Sequence, residues 1–157
     1  ADKGGSLFTD AAYANFQSRL EFKLPPEGNN GLAIRFPGKG NPAYDGMTEL
    51  QILDNTAKRY AELDQRQYSG SAYGMAPAWR GYLRDVGEWN YQEVTVDGST
   101  LKVELNGNII LQTDLSTITD YMDEKPHPGK NLAAGFFGFA GHKDPGGFRY
   151  ISLKRPP

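Results

Sequence analysis

The chain has 157 residues, a length typical of one domain that buries its own core without disulfides, and it contains no cysteine. Its 17 basic and 19 acidic residues are well mixed and give a net charge of −2, which argues against a nucleic-acid partner. No apolar run approaches the roughly 20 residues of a membrane-spanning helix. We therefore predict a single domain over residues 1–157, with no nucleic-acid partner and no membrane span.

Strands dominate the first part of the chain. Residues 15–24 alternate between apolar and polar side chains, as half-buried strands do, and the segment 25–30 breaks this strand with prolines and a glycine. The alternation resumes over 31–36, and a loop over 37–46 leads to another predicted strand at 47–53. Three strands are therefore expected in the first third of the chain.

The strand pattern returns after an irregular stretch over 55–88, in which one or two helical turns are predicted at 56–67. The dipeptides Asp97-Gly98 and Asn106-Gly107 between alternating runs predict hairpin turns. The other elements predicted in this half are strands at 89–96, 101–105, 109–112, 132–140 and 148–153 and a short helix at 115–122. Many short strands with little helix between them predict an all-β fold, an antiparallel β-sandwich.

The segment Glu49-Leu50-Gln51-Ile52-Leu53-Asp54 interleaves carboxyl and amide groups with apolar residues. In a strand, Glu49 and Gln51 share one face while the apolar residues beside them point into the core. Asp54 lies at odd spacing from Glu49 and rejoins the polar face only if the strand bulges near Leu53. Two carboxyl groups and an amide on one open face suit a sugar-binding site, whereas the alternative is an ordinary solvated face of an antiparallel sheet.

Short segments around this strand match the motifs of one protein family and follow the order of that family. They lie at residues 16–24, 30–35, 46–55, 71–77, 87–90, 105–107, 135–142 and 148–151. On these segments the chain resembles the 3-keto-disaccharide hydrolase domain family, and the resemblance covers most of residues 5–155. Each segment alone is a weak match, but the ordered set is specific.

This resemblance implies a jelly-roll sandwich of the concanavalin A-like lectin/glucanase type. It also implies a sugar-active protein of a kind that glycan-degrading bacteria commonly export, so a secreted or periplasmic location is expected. Family members usually carry a few tens of residues before this start, including an opening strand pair. We therefore expect either that the chain lacks its N-terminal segment or that one sheet edge is uncovered.

A more distant resemblance concerns laminarinase-type glycosidases, which carry Glu-x-Asp-x-(x)-Glu on one strand, with the first Glu as nucleophile and the last as acid/base. Glu49 matches the first position, Gln51 replaces the Asp, and Asp54 replaces the last Glu. Retaining hydrolysis needs carboxyl groups about 5–5.5 Å apart, and inverting hydrolysis about 6.5–9.5 Å. Residues five apart in a strand begin roughly 16 Å apart at Cα, so the short Asp54 fits this chemistry poorly.

A 3-keto sugar offers another route, because its ketone acidifies the proton on C2. A base removes that proton, the glycosidic oxygen leaves from C1, and water adds afterwards. The route needs one base, one acid and a group that stabilises an enolate oxygen. Glu49 or Asp54 is the candidate base, His142 is the candidate acid or polarises the ketone, and Arg35 is the candidate enolate stabiliser.

Further residues are candidates for substrate binding. Gln51 suits the recognition of sugar hydroxyls, and Arg35 lies on the polar side of its predicted strand. Tyr44 and Tyr73 lie in predicted loops, where their rings could stack on a sugar, and Asn30 could reach the same site. We predict no cofactor and no metal site from these patterns, with a calcium bound in the sandwich as the alternative.

Several of these residues also have a structural interpretation. Asn30 precedes a glycine and suits a turn, and Asp54 suits the capping of the turn that follows it. Arg35 could form an ion pair with Glu49. His127 stands between two prolines and is predicted to be a loop residue.

Two functions of different classes fit the sequence. The first is a hydrolase that cleaves 3-keto-glycosides, either directly or by elimination and hydration, with a small-molecule or oligosaccharide substrate. The second is a non-catalytic carbohydrate-binding module of a larger exported protein, since this fold class hosts both enzymes and lectins. Binding of unoxidised glycans without turnover of any keto sugar would favour the second function. A third interpretation is a structural domain trimmed from a larger surface protein.

Overall fold

The computed structural model describes residues 5–156, so residues 1–4 and 157 of the predicted domain lie outside the described part of the chain. The elements in that part are β1 (Leu7–Tyr13), β2 (Phe16–Lys23), β3 (Asn29–Phe36), α1 (Pro42–Asp45), β4 (Thr48–Leu53), β5 (Asn90–Asp97), β6 (Thr100–Leu105), β7 (Asn108–Asp114), β8 (Gly135–Gly141) and β9 (Gly147–Lys154). Short 3₁₀ turns lie at Lys58–Tyr60, Gln65–Gln67, Leu115–Thr117 and Met122–Glu124.

The strands form two antiparallel sheets that pack face to face. The first sheet has the strand order β1-β8-β3-β4, and the second has the order β7-β6-β5-β2-β9. Large side chains from both sheets fill the space between them and are almost fully buried, including Phe22 on β2, Leu32 on β3 and Phe137 on β8. Burying one side chain of this size contributes about 1.5–3 kcal/mol. The predicted antiparallel β-sandwich is confirmed.

The structure differs from the sequence prediction in its shorter elements. β1 was not predicted, because its residues lack a regular apolar alternation, and most of them are exposed at the edge of the first sheet. The helix predicted over 115–122 is reduced to two separate 3₁₀ turns, and the helical turns predicted over 56–67 are also 3₁₀. No helix in residues 5–156 has the length and apolar character needed to cross a bilayer.

The outer edge of β4 is covered by the segment 69–76, which shields the strand from solvent. Backbone hydrogen bonds run from Gln51 N to Ser71 O at 3.1 Å, from Gly70 N to Gln51 O at 2.7 Å and from Tyr73 N to Glu49 O at 2.9 Å. With this segment along its edge and the core against its inner face, every residue of β4 is buried. It also fixes Tyr73 beside Glu49.

Pairing between β3 and β4 is regular along the whole of β4. The register runs without a shift from Asn29 opposite Leu53 to Ile34 opposite Thr48. The bulge that would bring Asp54 to the face of Glu49 is therefore not formed. Leu50 and Ile52 point into the core as predicted, and both are fully buried.

Candidate functional site

A cleft lies on the face of the first sheet that points away from the core. Its floor is formed by alternate residues of β4, namely Glu49, Gln51 and Leu53, beside Asn29 on β3, and its volume is about 360 Å³. Loops supply the walls, with Asn41, Ala43, Tyr44, Tyr60, Leu63, Gln67, Tyr73, Lys125 and His142. Five of the predicted site residues, Glu49, Gln51, Tyr44, Tyr73 and His142, meet in this one cleft.

Glu49 is the only carboxylate among the residues that line the cleft. It is only 5% exposed, and its Oε1 lies 3.1 Å from Nε2 of His142, the first residue after β8. This hydrogen bond to Glu49 raises the pKa of His142, although burial acts in the opposite direction. The charges of Glu49 and Asp144 raise it further. The pair is therefore a carboxylate beside an imidazole that holds its proton more firmly than a free histidine does.

The space that Glu49 occupies exists because residue 31 is a glycine. A Cβ placed on Gly31 would lie 2.1 Å from Oε1 of Glu49, well inside any allowed contact. Gly31 lies opposite Gln51 in the β3–β4 pair, on the face that forms the cleft floor. Only glycine at this position leaves the carboxylate free to reach His142.

The other floor and wall residues are held by hydrogen bonds and ring contacts. Gln51 donates from Nε2 to Oδ1 of Asn29 at 3.3 Å, and the Tyr73 hydroxyl accepts from Gln67 at 3.1 Å. The rings of Tyr44 and Tyr73 meet edge to face, with centroids 6.3 Å apart. The cleft thus combines amide groups for hydroxyls with an aromatic corner.

Lys125 is a cleft residue that the sequence did not indicate. Its Nζ lies 3.6 Å from the centre of the Tyr44 ring, and it brings a positive charge to the wall of the cleft that holds Glu49. No local pattern marks Lys125, because it lies in an irregular loop far from β4 in sequence. Asn29, in contrast, could have been found by extending the predicted β3 alternation two residues towards the N-terminus.

Asp54 is not brought to this cleft. It follows β4, and its carboxylate accepts from Glu27 N at 2.9 Å, from Thr56 N at 3.0 Å and from Thr56 Oγ1 at 2.6 Å. Burial acts to raise the pKa of Asp54, but these hydrogen bonds and one involving Ala57 outweigh it and hold the pKa below its ordinary value. Asp54 lines a separate depression of about 590 Å³ with Arg80 and Arg84.

Arg35 is also directed away from the cleft. The β3–β8 pairing shifts register between Ala33 and Phe36, and Arg35 has a φ of 49° in this bulge, which re-aims its side chain. The guanidinium is buried and donates to Ala14 O, Gly98 O, Leu132 O and Asn15 Oδ1. None of these acceptors is Glu49, whose ionic partner is His142.

Asn30 lies on the opposite side of β3 from the cleft floor. It is paired with Ile52, a core residue, and its Oδ1 accepts from Gly31 N at 2.9 Å. Asn29 takes the place in the cleft that the sequence suggested for Asn30. Neighbouring residues of a strand point to opposite faces, so an error of one position in the sequence prediction selects Asn30 instead of Asn29.

Comparison with known proteins places the chain in a family. Residues 1–154 match the model of the 3-keto-alpha-glucoside-1,2-lyase-like domain. The chain belongs to this family. A 3-keto-disaccharide hydrolase of Bacteroides thetaiotaomicron is 30% identical in an alignment 179 residues long, which includes 96% of this chain. The chain spans 62% of the length of that relative.

Solved structures extend the comparison to the fold. A candidate glycosyl hydrolase of Parabacteroides distasonis matches with a TM-score of 0.88 at 25% identity, over 99% of this chain and 85% of that one. A carbohydrate-binding module of Bacillus subtilis matches with a TM-score of 0.55 at 13% identity, over 99% and 84% of the two chains. The second likeness concerns the sandwich fold alone.

Proposed function

We propose that this domain cleaves the glycosidic bond of 3-keto-glycosides by elimination followed by hydration, with Glu49 as the base and His142 as the acid. The observation that carries the proposal is the pair itself. Glu49 is the single carboxylate of the cleft, and it lies 3.1 Å from an imidazole whose pKa is raised. The name of the Bacteroides thetaiotaomicron relative supports the same substrate class.

The reaction proceeds in two stages. The Glu49 carboxylate takes the proton from C2 of the keto sugar, and the electron pair of the C2–H bond forms an enolate with the C3 ketone. The enolate collapses to a C1–C2 double bond, the C1–O bond breaks, and the leaving oxygen takes the proton of the His142 imidazolium. Water then adds across the double bond, with OH to C1 and a proton to C2, so that the net reaction is hydrolysis.

A single carboxylate favours this route over ordinary glycoside hydrolysis. Retaining and inverting enzymes both place a second carboxyl group within about 10 Å, across the scissile bond. The sequence suggested Asp54 as the second carboxylate. Its carboxylate accepts a hydrogen bond from Thr56 in the turn at residues 54–57 and lines another depression. Elimination needs only one carboxylate, and Glu49 is the one that lines the cleft. The nearby Asp144 carboxylate accepts from the backbone N of Asn29 at 2.8 Å, and its proposed part is the charge that it adds beside His142.

Lys125 replaces Arg35 as the proposed stabiliser of the enolate. It is the cation on the same wall as Tyr44, whereas the guanidinium of Arg35 donates to four acceptors outside the cleft. Positive charge near the developing oxyanion lowers the barrier most in a site that excludes water. Gln51 and Asn29 are the proposed partners of the sugar hydroxyls.

Deuterium distinguishes elimination from direct hydrolysis. The purified protein is incubated with a 3-keto-glucoside in D₂O, and the released keto sugar is analysed by NMR. Elimination and hydration place deuterium at C2, whereas direct hydrolysis leaves the original proton there. The control is free 3-keto-glucose incubated with the protein, which measures exchange of the C2 proton after release. Retention of the C2 proton during turnover contradicts the elimination route.

Substitution of the pair tests the assigned roles. We expect Glu49→Gln and His142→Gln each to lower kcat by roughly 10²–10⁴-fold, the usual contribution of a positioned base or acid. The matched control is Glu104→Gln on β6 in the other sheet, which should retain activity.

The activity should also depend on pH through His142. Because the pKa of His142 is raised, the acid stays protonated above pH 6.5, and activity should fall at higher pH. Full activity of Glu49→Gln, or binding of unoxidised glycans with no turnover of keto sugars, contradicts the proposal; the second result favours a carbohydrate-binding module.

A further inference from the structure

His127 lies directly behind the aromatic wall of the cleft, and the proposed reaction does not use it. It is only 2% exposed, although it stands in a loop between two prolines. Its ring packs between Tyr44 and Tyr121, with centroid distances of 4.7 Å and 5.3 Å. Tyr44 lines the cleft, and His127 packs against the Tyr44 ring from the side away from the cleft.

The two nitrogens of His127 have different surroundings. Nδ1 lies 2.9 Å from the carbonyl oxygen of Ala43 in α1, and because a carbonyl only accepts, Nδ1 carries the proton. Nε2 is buried and has no hydrogen-bond partner among the described residues. It faces Gly74, where an added Cβ would lie 2.9 Å from it. Gly74 follows Tyr73, the second ring of the aromatic corner.

A second contact fixes the same loop to α1. Gly129 N donates to Tyr44 O at 2.9 Å, two residues beyond His127. The backbone around Gly129 is so close to α1 that a Cβ there would lie 2.1 Å from Asp45 O. The loop at residues 127–129 is therefore the back support of the segment that carries Tyr44.

We propose that His127 is a positioning residue whose neutral ring holds Tyr44 and the Tyr73–Gly74 turn in the geometry that substrate binding requires. The inference deepens the proposed function, since it rests on a sugar binding in this cleft. It assigns His127 no contact with the substrate. Its role is to keep the aromatic corner in one place, as groups behind a binding site must do.

The charges around His127 oppose its protonation. Lys125 and Lys130 are the cations that act on it, while the rings of Tyr44 and Tyr121 face its own ring. Burial, followed by the two lysines, lowers its pKa below 6.5 despite the hydrogen bond to Ala43. The support is therefore complete above pH 6.5, and it is lost as the pH falls through the lowered pKa of the folded state.

Fluorine NMR tests the positioning role without any substrate. The protein is labelled with 3-fluorotyrosine, and the signals of Tyr44 and Tyr73 are assigned with Tyr44→Phe and Tyr73→Phe. We expect both signals to move with a midpoint below pH 6.5 in the wild type, to lose that movement in His127→Phe, and to keep it in His142→Gln. Signals that do not move, or that follow His142, overturn the proposal.

Nitrogen NMR of the unsubstituted protein keeps the test decisive if His127→Phe does not fold. The chain has two histidines, so ¹⁵N-labelled histidine signals are assigned with His142→Gln alone. We expect His127 to show the tautomer protonated at Nδ1 and to titrate at the midpoint of the Tyr44 fluorine signal. A proton on Nε2, or a separate midpoint, contradicts the role.

Kinetics links the support to binding once turnover of a 3-keto-glucoside is established. In the wild type the KM should rise as the pH falls below 6.5, and in His127→Phe this acid-dependent rise should disappear. The KM of His127→Phe at pH 7.5 should be about 10-fold above that of the wild type with a smaller change in kcat, because a displaced wall weakens binding. An acid-dependent rise in KM that persists in folded His127→Phe overturns the proposal, whereas absent turnover in the wild type affects only the proposed function.

Discussion

Glu49 is a carboxylate that the fold buries at the floor of a cleft, with 5% of its surface exposed. Burying a charge is costly unless a partner compensates for the lost water, and the partner here is His142, whose side chain remains 42% exposed. Glu49 is thus buried, whereas His142 remains in contact with solvent. Such asymmetry suits proton transfer, since the histidine can exchange its proton with water while the carboxylate faces the substrate.

The space beside Glu49 gives a prediction for Gly31→Ala. The new methyl group would overlap Oε1 of Glu49, and the flexible end of that side chain would move away from His142. We expect kcat/KM for a 3-keto-glucoside to fall by roughly 10²-fold, the cost of misplacing a catalytic group by about 1 Å. The thermal unfolding midpoint should fall as well, because the buried Glu49 carboxylate loses the partner that compensates for its burial.

Gly5→Ala is the matched control, because an added Cβ at that position meets no atom of residues 5–156 within 4 Å. It should retain both activity and stability. If Gly31→Ala keeps full activity, the position of the Glu49 carboxylate seen here is not the one that catalysis uses. Restoration of activity by a shorter acid, in Gly31→Ala combined with Glu49→Asp, would support the steric explanation.

Pairing between strands decides which carboxylates reach the site. The unbroken β3–β4 register puts Glu49 and Gln51 on the cleft face, and the chain turns immediately after Leu53. Asp54 then closes that turn, with its backbone N donating to Gly28 O at 2.9 Å and its carboxylate binding the amides of Glu27 and Thr56. At the scale of the element, Asp54 ends a strand and joins two loops.

Asp54→Ala should therefore lower stability and leave the activity of the folded protein unchanged. We expect a loss of about 1–3 kcal/mol in the free energy of unfolding, because buried donors lose their acceptor. The pKa of Asp54 is lowered in the fold, so its contribution is present above pH 3.8 and is lost as the pH falls through the lower folded value. Urea unfolding at pH 7 and near pH 3 measures this difference.

Asp120→Ala is the control for this comparison, since the Asp120 side chain is 95% exposed. Its free energy of unfolding should stay within about 0.5 kcal/mol of the wild type. A large loss of kcat in folded Asp54→Ala would restore Asp54 to the list of catalytic candidates.

Across the whole molecule, Arg35 connects the two sheets. It belongs to β3 in the first sheet, and its Nη1 donates to Gly98 O in the β5–β6 turn of the second sheet at 2.8 Å. The same guanidinium binds Ala14 O and Leu132 O, which lie in two separate loops. A planar group with five donors is suited to joining several carbonyls at once.

Arg35→Ala should be one of the more damaging single substitutions outside the apolar core. It would leave buried carbonyl groups without donors, and we expect a loss of about 3 kcal/mol or more in the free energy of unfolding. Arg35→Lys should recover only part of this, because an ammonium group lacks the fork of guanidinium donors. Urea unfolding of both variants gives the measurement.

Arg19→Ala is the exposed arginine for comparison, with one surface ion pair to Glu93 and a side chain that is 55% exposed. Its loss should stay between about 0 and 1 kcal/mol. If Arg35→Ala is as stable as Arg19→Ala but loses substrate binding, then the role suggested for Arg35 from the sequence is the correct one.

The sequence by itself determined the β-sandwich, the family and the polar face of β4. Each of these depends on local information: apolar alternation with a period of two, turn dipeptides, and short motifs in a fixed order. Glu49, Gln51 and His142 were proposed from such patterns and Tyr44 and Tyr73 from their places in loops, and all five line the cleft. Local periodicity fixes which residues share a face of a strand, and so it identifies candidates without locating them in space.

Only the tertiary structure decided which candidates meet. Glu49 and His142 are 93 residues apart in sequence, and they touch because β3 lies between β4 and β8 in one sheet. A bulge with positive φ turns Arg35 away from the cleft, and an unbroken register keeps Asp54 out of it. Strand order and bulges depend on the packing of the whole chain, and sequence periodicity restricts the register between two strands without deciding which strands pair.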